Sequence, residues 1–231
     1  MRTKLKIANG FSMIELLFAA FIFTVIAGTI FSLLLSSQLR YQGESNLTSA
    51  FQQANVAIDQ ITRDVHSAGF PPASSFSTDV NLNNPEKIAL PFSWLTGYPF
   101  NSCVVGATCG GFPGEDDLIL EADTGDGQGV QWIRYSLQGT NLMRGTAAKA
   151  GTNPVAATDS QLIPYLENVT NAANAIPLFT YSYDPGLPQQ PVNIRQVNIC
   201  LMVQSAKPNV HTGQLETITV TGQAVRFNPN Q

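Results

Sequence analysis

Residues 10–40 read GFSMIELLFAAFIFTVIAGTIFSLLLSSQLR, and this stretch decides the fold. Between Glu15 and Arg40 it carries no charged residue. As a helix with a rise of about 1.5 Å per residue, residues 11–35 are long enough to span a hydrocarbon core of about 30 Å. The stretch therefore predicts a membrane-spanning helix. One acid, Glu15, lies near its start, and at the centre of a membrane helix a carboxylate costs about 2.5–3.5 kcal/mol on insertion scales.

The residues before this run are basic. Arg2, Lys4 and Lys6 precede it without any acid, and such a flank favours a cytoplasmic N-terminus. A secretory signal peptide would need a shorter apolar region and an Ala-x-Ala-like cleavage site after it, and neither is present. A plain signal anchor explains the length and the basic flank. It does not explain Glu15 or the residues around Gly10.

The segment GFSMIE, residues 10–15, resembles the class III signal of type IV prepilins and type II secretion pseudopilins. That signal combines a short basic leader, a glycine at the cleavage position, an N-methylated residue after it and a glutamate five residues into the mature chain. The resemblance implies that prepilin peptidase cleaves between Gly10 and Phe11 and methylates the new amine of Phe11. Glycine suits a cleavage site because it lets a protease approach the backbone closely.

The resemblance also implies a use for Glu15. In pilin-like filaments the mature N-terminal helices pack together, and the carboxylate pairs with the terminal amine of Phe11 in a neighbouring subunit. Such a pair offsets a charge burial that either group alone could not tolerate. The alternative is that Glu15 only reaches to the lipid headgroups from one turn inside the membrane.

A second pattern follows the apolar run. Apolar residues recur at spacings of four and three, which predicts an amphipathic continuation of the same helix packed on a globular domain. The stripe consists of Leu47, Phe51, Ala54, Ile58, Ile61, Val65 and Ala68. The polar back consists of Gln52, Gln53, Asn55, Asp59, Gln60, Arg63 and Asp64. Gly69 and the prolines at 71 and 72 are expected to end the helix.

The rest of the chain predicts β-structure. Short alternating or β-branched runs at 117–121, 130–137, 142–144, 194–203 and 215–227 are separated by turn signals. We expect an α+β fold in which the long helix packs on an antiparallel sheet of at least four strands, a pilin-like roll. The segments are then a cleaved leader (1–10), a transmembrane or filament-core helix (11–35), an amphipathic second half (36–69) and a β-rich head (70–231).

Two parts of the predicted head indicate which kind of pilin the chain resembles. The predicted hairpin at 132–144 ends in a Leu-x-Arg sequence, and the closing strands lie at 197–203 and 216–221. Both are similar to elements of PilW-type minor pilins and of J-type minor pseudopilins of secretion systems. The resemblance implies a structural minor pilin rather than a major one.

The three cysteines lie in the predicted head. Cys103 and Cys109 frame a short loop and are predicted to be bridged, since disulfides persist outside the inner membrane. Cys200 is then expected to be a buried thiol in a strand. A Cys109–Cys200 pair remains an alternative.

No set of residues predicts catalysis, so an enzyme is not expected. The two histidines, His66 and His211, stand far apart, and no nucleophile, base and orienting group occur in a known motif. Acids at 115–117 and 123–126 offer oxygen ligands for calcium, but their spacing fits no known loop, so no metal or other cofactor is expected. If the leader is removed, nine of the twelve cations remain against sixteen acids, a net charge of −7, and no nucleic acid partner is expected.

The sequence thus predicts a minor pilin that helps to initiate or cap a type IV pilus. The expected partners are prepilin peptidase, other minor and major pilins, the inner-membrane assembly platform and, before assembly, inner-membrane lipid. The expected location is the bacterial inner membrane in a single pass, with a periplasmic head, and later the filament. A minor pseudopilin of a type II secretion system is the alternative. An adhesin or DNA-uptake tip module is a third reading that the aromatic loop at 92–100 leaves open, although we expect these aromatic residues to pack under a long loop.

Overall fold

A computed structural model describes residues 12–70, 91–93, 103–104, 116–125, 127–150, 153–209 and 212–227. Two α-helices and seven strands lie in this part of the chain. In chain order they are α1 (Met13–Ser67), β1 (Asp117–Asp123), β2 (Val130–Gln138), β3 (Asn141–Ala148), α2 (Pro154–Asp159), β4 (Ile163–Leu166), β5 (Phe179–Tyr183), β6 (Ile194–Gln204) and β7 (Thr217–Val225).

The helix α1 is continuous over 55 residues, which corresponds to about 80 Å. The prediction of one long helix through residues 11–68 is confirmed to within two residues at each end. Gly69 follows the helix with φ of +81°, a left-handed conformation that glycine adopts without steric cost. Its amide donates a hydrogen bond to the Glu121 carbonyl of β1 at 2.9 Å, so the chain turns from the helix directly onto the sheet.

The strands form two antiparallel sheets. The α+β class is confirmed, but the expectation of one sheet over the helix is wrong. A four-stranded sheet has the order β1-β2-β3-β4 and a three-stranded sheet has the order β5-β6-β7. The amphipathic half of α1 lies against β6 and β7 and also contacts β1 and β4, so one helix face covers parts of both sheets.

The two sheets meet at Val169. Its amide donates to the Thr140 carbonyl in the β2–β3 turn at 2.8 Å, and the residue forms an isolated bridge with Val203 of β6. Thr170 continues this contact by donating its amide to the Met202 carbonyl at 2.8 Å. These main-chain bonds connect the sheets beneath the helix, and both sheets contribute to one apolar core.

The helix approaches the three-stranded sheet closely at Gly222 of β7. A Cβ atom built on Gly222 would overlap Cγ2 of Ile58, so a larger residue fits only if the Ile58 side chain or the backbone shifts. Ala54 and Ala57 on the same helix face are buried completely or almost completely. Small side chains on the helix and a glycine on the strand therefore let the two backbones come together.

The buried face of α1 differs from the predicted stripe. Ala54, Ile58, Ile61, Val65 and Ala68 are buried as expected, but Phe51 is 50% exposed. Ala50, Ala57 and Asp64 are buried beside the stripe. The buried face is thus rotated toward the alanines and away from Phe51. Asp64, which was predicted to lie on the polar back, is only 4% exposed.

Three elements were not predicted. They are α2, β4 and β5, of which α2 and β5 carry recognisable signals. Asn153 caps α2 by accepting the Ala156 amide hydrogen at 2.9 Å, and Pro154 occupies the first turn. β5 reads FTYSY, an alternating pattern typical of a half-buried strand. β4 contains Pro164 and is only four residues long, so it gives little signal.

Candidate functional site

The first half of α1 is apolar and has no protein partner among the described residues. Every residue from 12 to 35 is exposed, including Phe18 at 68% and Leu33 at 71%. By length and composition this is the one helix in the described part of the chain that could cross a membrane. An exposed apolar surface of this extent is compatible with a single-pass anchor.

The polar side chains of this segment make bonds within the helix. Thr24 donates its hydroxyl to the Ala20 carbonyl at 2.6 Å, and Thr29 donates to the Ile26 carbonyl at 2.8 Å. Backbone and hydroxyl groups in hydrocarbon must find partners inside the segment, because lipid offers none. These two threonines therefore fit an apolar environment.

Glu15 lies in the first turn of α1. One of its carboxylate oxygens, Oε2, accepts the backbone amide hydrogen of Ser12 at 3.1 Å. This is the glutamate half of a capping box, in which the acid also interacts favourably with the helix dipole. The sequence SMIE at 12–15 carries the matching Ser-x-x-Glu signal, which the sequence reasoning did not use. Within a single chain Glu15 thus already has a polar partner.

A polar cluster fixes the far end of α1 to the four-stranded sheet. The Asp64 carboxylate accepts the Tyr135 hydroxyl of β2 at 2.6 Å and the Arg144 guanidinium of β3 at 2.9 Å. Arg144 also donates to the Tyr135 oxygen at 3.0 Å, and Gln60 donates to the other carboxylate oxygen at 2.8 Å. Burial, reinforced by the Asp64 charge, raises the pKa of Tyr135, so its hydroxyl stays protonated as a donor.

Sequence reasoning had placed Arg144 in a recurring Leu-x-Arg element but had assigned it no partner. Its partner is the Asp64 carboxylate, which accepts hydrogen bonds from the Arg144 guanidinium. These bonds connect the β2–β3 hairpin to the helix. Because Asp64 was expected on the exposed side, the cluster could not be assembled from the sequence. The available signal was the seven-residue spacing of Ala50, Ala57 and Asp64, which puts Asp64 on the alanine face.

Two buried ion pairs lie on the side of the four-stranded sheet that faces away from α1. Arg134 of β2 pairs with Asp117 of β1 at 2.8 Å and also with Asp159 at the end of α2. Lys149, directly after β3, pairs with Glu121 of β1 at 3.2 Å. Burial raises the pKa of Asp117, while the hydrogen bond and charge of Arg134 act in the opposite direction. Neither pair was predicted.

The remaining predicted site residues are placed as follows. Gly10, Phe11 and Cys109 lie outside the described residues, as does His211. Cys103 is buried, and its proposed bond to Cys109 stays a prediction. Cys200 is a free, half-buried thiol in β6, so the alternative Cys109–Cys200 pair is not formed.

The other singled-out residues have structural contacts. The His66 ring lies 4.5 Å from the Phe227 ring. Asp123 accepts the Gly125 amide hydrogen at 2.8 Å within a turn. Phe92, the first residue of the aromatic loop, is fully buried and bridges Leu120 of β1, while residues 94–100 lie outside the described part.

No protein family, curated protein or solved structure matches this chain. Two features of the chain itself therefore bear on its function. They are an exposed apolar helix half that is compatible with a membrane, and a β-rich head fixed to the other half by packing and by Asp64.

Proposed function

We propose that this chain is a structural subunit of a type IV pilus-like filament, a minor pilin that is processed by prepilin peptidase and helps to initiate or cap assembly. The observation that carries the proposal is the division of α1. One continuous helix is wholly exposed and apolar over residues 16–35 and is packed on the head from Ala50 onward. Such a subunit can be stored in a membrane and then packed helix against helix without refolding its head.

The position of Glu15 supports the same proposal. Its carboxylate lies one turn into the exposed apolar segment and is held by the Ser12 amide. The cap accounts for one of the two carboxylate oxygens. We propose that the other oxygen pairs with the methylated terminal amine of Phe11 in a neighbouring subunit during assembly. The amphipathic half of the helix then keeps the head at the filament surface.

The first test is the mature N-terminus. We expect the protein from wild-type cells to begin at a methylated Phe11, and Gly10→Leu to retain the basic leader, as measured by intact mass and N-terminal peptide mapping. A wild-type chain that keeps its leader, or that is cleaved elsewhere, would contradict the proposal.

The second test separates the two roles of Glu15. Glu15→Gln keeps an oxygen that accepts the Ser12 amide hydrogen but removes the charge. We expect it to insert into the membrane and to be processed normally, and to be depleted at least tenfold from sheared filaments. Glu44→Gln, on an exposed position of the same helix beyond the apolar segment, is the matched control. Equal incorporation of Glu15→Gln and wild type would overturn the charge-pairing role.

The same geometry would serve a minor pseudopilin of a type II secretion system. Deletion of the gene distinguishes the two filaments when surface pili are imaged and secreted proteins are quantified in the same cells. Loss of pili with normal secretion is the result expected for a minor pilin. Loss of secretion with normal pili would assign the chain to the pseudopilus.

A further inference from the structure

Glu121 and Lys149 form an ion pair that is sealed inside the head. Both side chains are completely inaccessible to solvent, and the distance from Lys149 Nζ to Glu121 Oε2 is 3.2 Å. Glu121 belongs to β1 and Lys149 follows β3, so the pair spans β2. The Lys149 amide donates to the Val130 carbonyl at 3.1 Å, which fixes the lysine backbone beside the start of β2.

The second carboxylate oxygen of Glu121 is held by two neutral donors. Oε1 accepts the Trp132 indole N–H at 3.0 Å and the Ser93 hydroxyl at 3.0 Å. Trp132 lies directly opposite Glu121 in the register of β1 and β2. Two preorganised donors on one oxygen polarise the carbonyl and stabilise negative charge that develops on that oxygen.

The environment of the Glu121–Lys149 pair favours the neutral forms of both side chains. Trp132 packs with Ile119 and Val155 in a small apolar cluster on this side of the sheet. Burial lowers the pKa of Lys149, with the Glu121 carboxylate acting in the opposite direction. A proton transfer from Nζ to Oε2 removes both charges from this dry site and leaves a neutral amine, the nucleophilic form of lysine.

We propose that Lys149 and Glu121 are joined by an intramolecular isopeptide bond. After the proton transfer, the Lys149 Nζ lone pair attacks Glu121 Cδ, and Oε1 carries the developing negative charge toward the Trp132 and Ser93 donors. The Nζ–Cδ bond forms and the Cδ–Oε2 bond breaks. Oε2 leaves as water with two protons that both come from the ammonium group, so the reaction needs no other reactant.

The neighbouring ion pair shows why the proposal is specific to this lysine. Arg134 and Asp117 are also buried on the same side of the sheet, at 2.8 Å. A guanidinium is not deprotonated in proteins and therefore supplies no nucleophile. The Arg134–Asp117 pair thus serves as an internal comparison that stays non-covalent.

The bond would connect β1 to the end of β3 across β2 and close a covalent ring through residues 121–149. Such a ring limits how far the first three strands of this sheet can be pulled apart. The bond lies within the head and is tested on the purified chain, so its presence does not depend on the proposed filament function.

The test is the mass of the full-length protein purified in detergent from membranes, measured after reduction of disulfides. We expect the wild type to be lighter by one water molecule than its processed sequence requires. A protease digest is expected to contain a branched peptide joining Glu121 to Lys149, and Lys149→Arg is expected to lack both signatures. A wild-type chain of full mass, with separate unmodified peptides around Glu121 and Lys149, would show that the contact is only an ion pair.

Two further variants test how the bond forms. Trp132→Phe and Ser93→Ala each remove one donor to Oε1 and leave Lys149 and Glu121 in place. We expect the cross-linked fraction after a fixed time of expression to fall several-fold in each variant and further in the double variant. Cross-linking that is as complete in the double variant as in the wild type would overturn the role of these donors.

Discussion

The two halves of α1 follow one another without a break, yet they are built for different surroundings. The first half carries large apolar side chains, such as Phe21 at 66% exposure, and every residue from 12 to 35 is exposed in the described part of the chain. The second half carries alanines, isoleucines and one buried aspartate that fit the two sheets. The comparison shows that hydrophobicity alone does not decide what a helix packs against. Side-chain size and polar partners decide it.

The largest expected effect comes from placing the same charge in each half. Ala54→Lys puts an ammonium at a position of 0% exposure in the apolar core, so we expect the head to lose its cooperative thermal unfolding transition. Ile26→Lys, at 52% exposure, is expected to leave the head transition unchanged. It should instead weaken membrane insertion, by about 2.5–3.5 kcal/mol.

Both outcomes are measurable on the same preparations. Membrane fractionation reports insertion, and tryptophan fluorescence during heating in detergent reports the head. If Ile26→Lys destabilised the head as strongly as Ala54→Lys does, the two halves would not be independent. The distinction between them would then be wrong.

The next effect concerns the buried aspartate that distinguishes the second half. Asp64→Ala leaves the Tyr135 hydroxyl and the Arg144 guanidinium without their shared acceptor. We expect a loss of about 3 kcal/mol in the free energy of unfolding, the lower end for a broken buried pair, because the Arg144 side chain keeps 25% exposure to water.

Asp59→Ala is the matched control, since Asp59 is on the same helix and exposed. It is expected to change the free energy of unfolding by no more than about 0.5 kcal/mol. Urea titrations of both variants in the same detergent provide the measurement. Equal effects of the two substitutions would mean that Asp64 does not fix the helix to the sheet.

The sequence was sufficient for features that depend on local pattern. The long helix follows from an uncharged run joined to a periodic one, and its end follows from Gly69. Five of the seven strands follow from alternation and turn residues between Asp117 and Val225. Each of these signals lies within one continuous stretch of sequence, so no knowledge of distant partners is needed.

The rest depends on contacts between distant parts of the chain. The close approach of the helix to β7 depends on Gly222, which is 164 positions beyond the Ile58 it contacts. Asp64 looks like a surface residue until Tyr135 and Arg144, 71 and 80 positions away, are placed beside it. The division into two sheets likewise rests on Val169 and its partners. Apart from the seven-residue spacing that puts Asp64 on the alanine face, nothing local in the sequence distinguishes these residues from ordinary ones.

The smallest predicted effect is the pH dependence of the Tyr135–Asp64 hydrogen bond, which fixes the second half of α1 to the four-stranded sheet. Because burial and then the Asp64 charge raise the pKa of Tyr135 above 10.0, the folded head keeps this hydroxyl protonated where an unfolded chain ionises it. The stabilisation is therefore complete below pH 10 and is lost as the pH rises above that value, by up to about 1.4 kcal/mol per pH unit.

Tyr135→Phe removes both the hydrogen bond and this titration. At neutral pH we expect the variant to be less stable by about 1.5 kcal/mol, since the bond is made to a charged acceptor. The difference from wild type should shrink above pH 10 and vanish about one pH unit higher, because only the wild type loses stability through this group. Urea titrations from pH 8 to about pH 11 test this, and the other tyrosines cancel because both proteins contain them. Parallel stability curves over the whole range would show that Tyr135 titrates alike in the folded and unfolded chains, and that the Asp64 anchor does not depend on its proton.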